Sequence, residues 1–190
     1  QGLGHLEPVL RWPVYGKISD TSSVLLTTEE GSYALIRKML EFYSHAFRSR
    51  RIHLGMDEAH DLGRGRYLDL NGYRNGFAIF NDHLTRVMSL CRDYGFKPMI
   101  WSDMYFRMGS RSMDYYDPES SIPVEVARAI PSGVQLVYWD YYHEEESFYA
   151  EWLRRHYELG SKPVMASGLW TWRTLWYDHE KTCATVEPCL

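Results

Sequence analysis

Two carboxylates, Asp57 and Glu58, stand next to each other in RIHLGMDEAH (residues 51–60), with His53 and His60 on either side. Paired acids are the raw material of general acid–base chemistry, and a pair of Asp or Glu side chains is what most glycoside hydrolysis uses. On a solvated helix such a pair would mean little. Here it ends a β-like segment and precedes the glycine- and arginine-rich GRGRY (residues 63–67), a setting that suits a site. Ordinary retaining glycosidases hold their two carboxyls about 5–5.5 Å apart across the scissile bond. Neighbours at a strand end cannot easily straddle a bond in that way, so a pair like this would need a different division of labour. A metal centre built from His53, Asp57, Glu58 and His60 matches no ligand spacing such as His-Glu-x-x-His. No metal or other cofactor is expected.

The elements that must position these acids are legible as an alternation. Strand-like runs at residues 51–57, 97–105, 134–142 and 162–172 are separated by helical patterns. The pattern over 32–47 places Leu35, Ile36, Met39, Leu40 and Tyr43 at helical spacing, with Thr27 to Glu30 as capping residues. Over 73–94, Phe77, Phe80, Leu84, Val87, Met88 and Cys91 form one stripe, and Gly95 stands where a helix stops. Shorter helices are expected near 123–130 and 146–159, the latter ending at Gly160. The lead-in Gly-x-Lys-Pro recurs at GFKP and GSKP, so a unit of helix, glycine stop and strand repeats. Strand alternating with helix predicts an α/β fold with parallel strands and crossover helices. An open doubly wound sheet and part of a (β/α)8 barrel both fit, but GRGRY is not a phosphate-binding fingerprint, which favours the barrel. A whole barrel needs about 250 residues. The chain therefore supplies the central part, about strands three to seven, with residues 1–6 as the end of the first of these.

Period-two alternation along the strands places Ile52, Leu54 and Met56 on one face and His53, Gly55 and Asp57 on the other. The same rule aligns Met99, Trp101, Asp103 and Tyr105; Gln135, Val137, Trp139 and Tyr141; and Ala166, Gly168, Trp170 and Trp172. The C-terminal mouth of a barrel is where active sites form. Asp57, Glu58, Trp101, Asp103, Trp139, Tyr141, Trp170 and Trp172 are expected to meet in one bowl there. Seven Trp and fifteen Tyr are many for 190 residues. Aromatic side chains mostly fill cores, but flat apolar rings also suit the C–H faces of sugars.

Bulk properties exclude several classes. Hydrophobic residues make up 45% and charged residues 24%, ordinary values for a globular protein. No apolar run approaches the ~20 residues of a membrane helix, and a net charge of -4 gives no footprint for nucleic acid. Three cysteines form neither an even disulfide set nor a metal spacing. They point to a reducing, cytoplasmic compartment. The chain opens on Gln1, so its N-terminus is not expected to be a start codon's.

The strand-end HLGMDE resembles the His-x-Gly-Gly-Asp-Glu signature of glycoside hydrolase family 20, the β-N-acetylhexosaminidases. Gly4-His5 resembles the Gly-His that follows the third barrel strand in that family. The ordered set HLGMDEAHDLGRGRY, WSDMYFR, YWDYY and SGLWTW is most similar to the hexosaminidase D-like branch, and it spans nearly all of residues 1–190 as a partial catalytic domain. Counterparts of the first two strands and the eighth are absent, and with them an Arg, an Asp and an aromatic wall. Gln1 stands where the family often has an acid four positions before the Gly-His histidine.

The resemblance implies hydrolysis of terminal, non-reducing β-linked N-acetylhexosamine, with the substrate's own acetamido oxygen as nucleophile and retention of configuration. It implies Glu58 as general acid and base and Asp57 as the group that orients the acetamido N–H. Trp101, Trp139, Trp170 and Trp172 would wall the sugar, and Tyr141 would donate to the acetamido carbonyl, with Tyr142 an equal rival. Asp103 and Asp140 would either hold sugar hydroxyls or cap loops. His5, His60 and Arg64 would sit at the rim, and His53 would tune Glu58 or serve the core. The expected partner is a glycan or small glycoside; nucleic acid and membrane are not. The competing possibilities are a non-catalytic sugar-binding fragment and a metal-dependent barrel hydrolase.

Overall fold

A computed structural model describes all 190 residues, and the chain divides into two compact units, Gln1–Val134 and Gln135–Leu190. In the first unit, a short helix α1 (Glu7–Leu10) and a 3-10 turn (Pro13–Ile18) precede the long α2 (Glu30–Ala46). Strand β1 (Arg51–His53) follows, then α3 (Arg66–Asn71), α4 (Gly76–Asp93) and β2 (Lys97–Trp101). Helices α5 (Asp103–Gly109) and α6 (Val124–Arg128) complete the unit. The second unit runs β3 (Gln135–Trp139), α7 (Glu146–Glu158), β4 (Val164–Ala166) and α8 (His179–Val186).

Each unit contains a parallel pair closed by helical crossover, as the alternation predicted. In the first, Arg51, Ile52 and His53 pair with Lys97, Pro98 and Met99. In the second, Val137, Tyr138 and Trp139 pair with Val164, Met165 and Ala166. The expected stripe on α4 is the buried one: Phe77, Phe80, Leu84, Val87, Met88 and Cys91 all face the core. Asn75 caps that helix by accepting from the Phe77 N–H, and Gly95 stops it with φ +69, a value that costs other residues energy. Leu25, Leu26, Ile36 and Leu40 complete this core. The second unit packs Leu136, Tyr138, Tyr149 and Trp152 instead.

Four expectations are corrected. Residues 1–6 form no strand; the Gly2 N–H donates to the Leu54 carbonyl at 2.7 Å, and the Gly2 carbonyl lies 2.7 Å from His83 Nε2. The Thr27–Glu30 stretch does not cap α2 by side chain. The lead-in is tied instead by Ser32 Oγ, which donates to the Leu26 carbonyl, and by Tyr33 OH, which donates to the Thr27 carbonyl. The strand expected over 97–105 ends at Trp101, because Ser102 turns the chain into α5. Asp103 and Tyr105 are therefore helical, and Tyr105 is buried with its hydroxyl donating to Asn81 rather than sharing a strand face with Trp101. The strand expected over 162–172 pairs only over Val164–Ala166.

Candidate active site

The chain reaches the acid pair through a run of unusual backbone. Gly55, Met56 and Glu58 have φ of +70, +71 and +46. For a residue with a side chain each such conformation costs roughly 1–3 kcal/mol and persists only where surroundings enforce it. The enforcement is visible. Gly55 donates to His53 Nδ1 at 3.0 Å, Met56 donates to Gln1 Oε1 at 3.1 Å, and Glu58 donates to Asp103 Oδ2 at 3.1 Å. Regular strand alternation would send Asp57 and Glu58 to opposite faces. The left-handed turn at Glu58 cancels that alternation and brings both carboxylates to one place.

His5 marks the place. Its Nε2 lies 3.3 Å from Asp57 Oδ2 and 3.1 Å from Glu58 Oε2, so one imidazole nitrogen stands against both neighbouring acids. His5 itself has φ +52. Gly4, before it, crosses so close to the acid loop that a Cβ there would lie 2.7 Å from the Asp57 carbonyl. The other oxygen of Asp57, Oδ1, is buried and receives no hydrogen bond. A buried carboxylate oxygen without a donor is costly, and it is an acceptor suited to an incoming N–H.

The remaining candidates of the first unit fall into place around this core. Asp103 is buried at the start of α5 and holds the Glu58 backbone, the loop-capping alternative of the two expected for it. His53 packs its ring 4.3 Å from that of Trp101, and partial burial lowers its pKa, opposed by the charge of Asp57. His60 contacts the hydroxyl of Tyr115; burial and then the Arg107 charge lower its pKa. Arg64 is exposed in the turn closed by its own N–H to the Asp61 carbonyl, and with His60 it lines a separate cavity of about 260 Å³. The GRGRY loop is anchored from below by buried Asp20, which accepts from the N–H groups of Gly63 and Tyr67 at 2.8 and 2.7 Å.

Tyr115 and Asp20 were not found from sequence. Burial raises the Tyr115 pKa, and the charges of Glu58, Asp103 and Asp57 add to that rise, which places its hydroxyl in the field of the acids. Tyr115 sits in an irregular stretch with no period to mark it. Asp20 offered no motif either.

The second unit gathers the aromatic candidates. Trp139 stacks on Tyr141 with ring centroids 5.4 Å apart, Tyr141 meets Trp172 edge-on at 5.4 Å, and Trp172 stacks on Trp170 at 4.8 Å. Gly168 permits this: a Cβ there would lie 2.7 Å from the Tyr141 ring and 2.8 Å from that of Trp172. Trp170 is 6% exposed and Trp172 47%. Tyr142 meets two of these rings edge-on, Trp170 at 5.7 Å and Tyr141 at 6.1 Å. Asp140 is fully buried. It accepts from Tyr138 OH at 2.9 Å and the Tyr142 N–H at 2.9 Å, and it lies 2.8 Å from His143 Nδ1. It caps the loop after β3, again the second of the two roles expected.

No protein-family profile and no curated protein matches the chain. Solved structures do. The chain resembles a β-N-acetylhexosaminidase from Bacteroides fragilis with a TM-score of 0.54 and 15% identity, over 89% of this chain and 32% of that one. It resembles the Streptomyces plicatus N-acetyl-β-hexosaminidase, solved in complex with Thio-NAglucal, with a TM-score of 0.50 and 16% identity, over 86% of this chain and 28% of that one. The chain thus spans about a third or less of the length of these enzymes. Its fold is similar to that of one segment of the glycoside hydrolase family 20 β-N-acetylhexosaminidases, the family its motifs resemble.

Proposed function

We propose that the chain is the central part of a (β/α)8 barrel that hydrolyses terminal β-linked N-acetylhexosamine with help from the substrate's acetamido group. The observation that carries this is the buried, unbonded Oδ1 of Asp57, beside a Glu58 that the same histidine contacts. An acid pair drawn to one nitrogen cannot act from opposite sides of a glycosidic bond. It can serve two different atoms of one substrate face.

In this mechanism Glu58 gives its proton to the leaving oxygen as the acetamido carbonyl oxygen attacks the anomeric carbon and the glycosidic C–O bond breaks. Asp57 accepts the acetamido N–H, aligns the amide and offsets the positive charge that grows on it. Glu58, now a carboxylate, then takes a proton from the water that opens the oxazolinium ring, and configuration is retained. His5 and Asp103 act as positioning residues, the first between the carboxylates and the second through the Glu58 backbone. The role assigned to Trp139, Tyr141, Trp170 and Trp172 is the packing of an apolar sugar face.

The test is hydrolysis of an aryl β-N-acetylglucosaminide by the protein that carries this chain, compared with its Glu58→Gln and Asp57→Asn variants. Loss of turnover in both supports the assignment. Undiminished turnover in both overturns it, and binding of N-acetylglucosamine without turnover in any form makes the chain part of a sugar-binding protein.

A further inference from the structure

Resting on that glycosidase reading, we propose that the 260 Å³ cavity beside the acid loop receives the leaving group, and that this group is a single aromatic ring bearing an acid. Ala59 and His60, the two residues after Glu58, form part of its wall, and His60 lies within the field of the Glu58 charge, so the wall adjoins the residue assigned to protonate the departing oxygen. The cavity is smaller than the ~300 Å³ at which pockets for drug-sized ligands begin. It suits one ring and not an extended glycan.

Its lining specifies the chemistry. Met104, Met108 and Met113 converge from α5 and the loop after it, and Leu62 and Phe77 join them from the acid loop and α4. Thioethers pack favourably against aromatic rings and adapt to their outline. Gly76 leaves room for this: a Cβ there would lie 2.9 Å from Met108 Sδ. The wall is also held ready. Met113 has φ +60, and Arg107 donates to its carbonyl. No carboxylate belongs to the lining, whereas Arg64 and Arg74 do. Arg74 is paired with Asp82 at 2.6 Å, which leaves Arg64 as the guanidinium to meet a ligand anion. Tyr73, 86% exposed, stands at the rim.

The experiment compares kcat/KM for methyl, benzyl and 4-carboxybenzyl β-N-acetylglucosaminides in the protein that carries this chain. The three alcohols are of similar acidity, so the bond-breaking chemistry is nearly constant. Benzyl should exceed methyl by about tenfold, and 4-carboxybenzyl should exceed benzyl again. Met108→Trp, which fills the cavity, should bring both down to the methyl value while methyl is unchanged. Tyr73→Ala, too exposed to threaten folding, should reduce the benzyl advantage several-fold. Equal values for the three glycosides, or an advantage that survives both substitutions, overturns the cavity's role and leaves the glycosidase reading standing. Hydrolysis of none of the three overturns the glycosidase reading, and the leaving-group role with it.

Discussion

The two units hold their distinctive side chains by opposite means. In the first, Asp57 and Glu58 are held by polar contacts drawn from far along the chain: His5 and Asp103 reach them, and Gln1 reaches the Met56 backbone before them, across gaps of about fifty residues. The backbone between adopts left-handed conformations that those contacts help to maintain. In the second, Trp139, Tyr141, Trp170 and Trp172 lie within 35 positions of one another, and their side chains meet ring against ring. Directional hydrogen bonds set an atom's place closely and fail abruptly when one partner goes. Stacked rings tolerate small shifts and lose contact energy gradually. The first arrangement suits a reacting atom, the second a surface that a ligand leans on.

That contrast can be broken by experiment. The largest effects belong to the acid pair. Glu58→Gln should lower kcat/KM by about 10²–10⁴-fold, the usual worth of a positioned acid–base group. Asp57→Asn should cost about 10²–10³-fold, as for the loss of a group placed on developing charge. A milder loss than in the aromatic variants would end the distinction.

Next comes acid sensitivity, where the units should behave alike. Each buries one histidine, His83 in the first and His156 in the second, and burial lowers the pKa of both to about 4. Unfolded histidine binds its proton near 6.5. Between those values the unfolded chain holds more protons, so stability is full above about pH 6.5 and falls as pH drops towards 4. The loss is roughly 3 kcal/mol per site. Urea unfolding at pH 7, 5.5 and 4.5 should show this slope, and His83→Gln and His156→Gln should each flatten it. A slope unchanged by either substitution contradicts neutral burial.

Asp140→Asn should cost about 1–3 kcal/mol of stability, since a buried acceptor then meets the Tyr138 hydroxyl and His143 with the wrong hydrogen inventory. KM should stay unchanged, and a raised KM at full stability would return Asp140 to sugar binding. The smallest effect is expected of Trp172→Ala. About 0.5–1.5 kcal/mol of ring packing corresponds to a rise in KM of a few-fold to about tenfold, with the melting temperature preserved.

Much of this was legible in the sequence because it is local. The α4 stripe, the stops at Gly95 and Gly160 and the succession of parallel pairs all follow from periodicity and from glycine's freedom at positive φ. Strand lengths were overread. SGLWTW looks extended because its residues favour sheets, yet its aromatics pack on one another beyond the end of β4. Helix α8, with two Thr and a Val among its eight residues, gave no helical signal, and the Asp178 side chain that caps it is recognisable only afterwards. At the site, Asp57 and Glu58 stood out by type and spacing, and the structure sets both beside His5. The shared contact of His5 did not stand out, since no sequence pattern encodes a meeting across fifty residues. Nor does one separate a loop-holding Asp140 from a ligand-holding one, because both readings ask for an acid at a strand end.

Gly4 carries a consequence of its own. The closeness of its main chain to the Asp57 carbonyl means that the imidazole is delivered by a shortage of bulk one position earlier. A serine or alanine there would push the segment outward and carry the ring away from both oxygens, with every ionisable side chain still in its place. An inventory of ionisable groups would then count as intact a protein whose histidine and acid pair no longer touch.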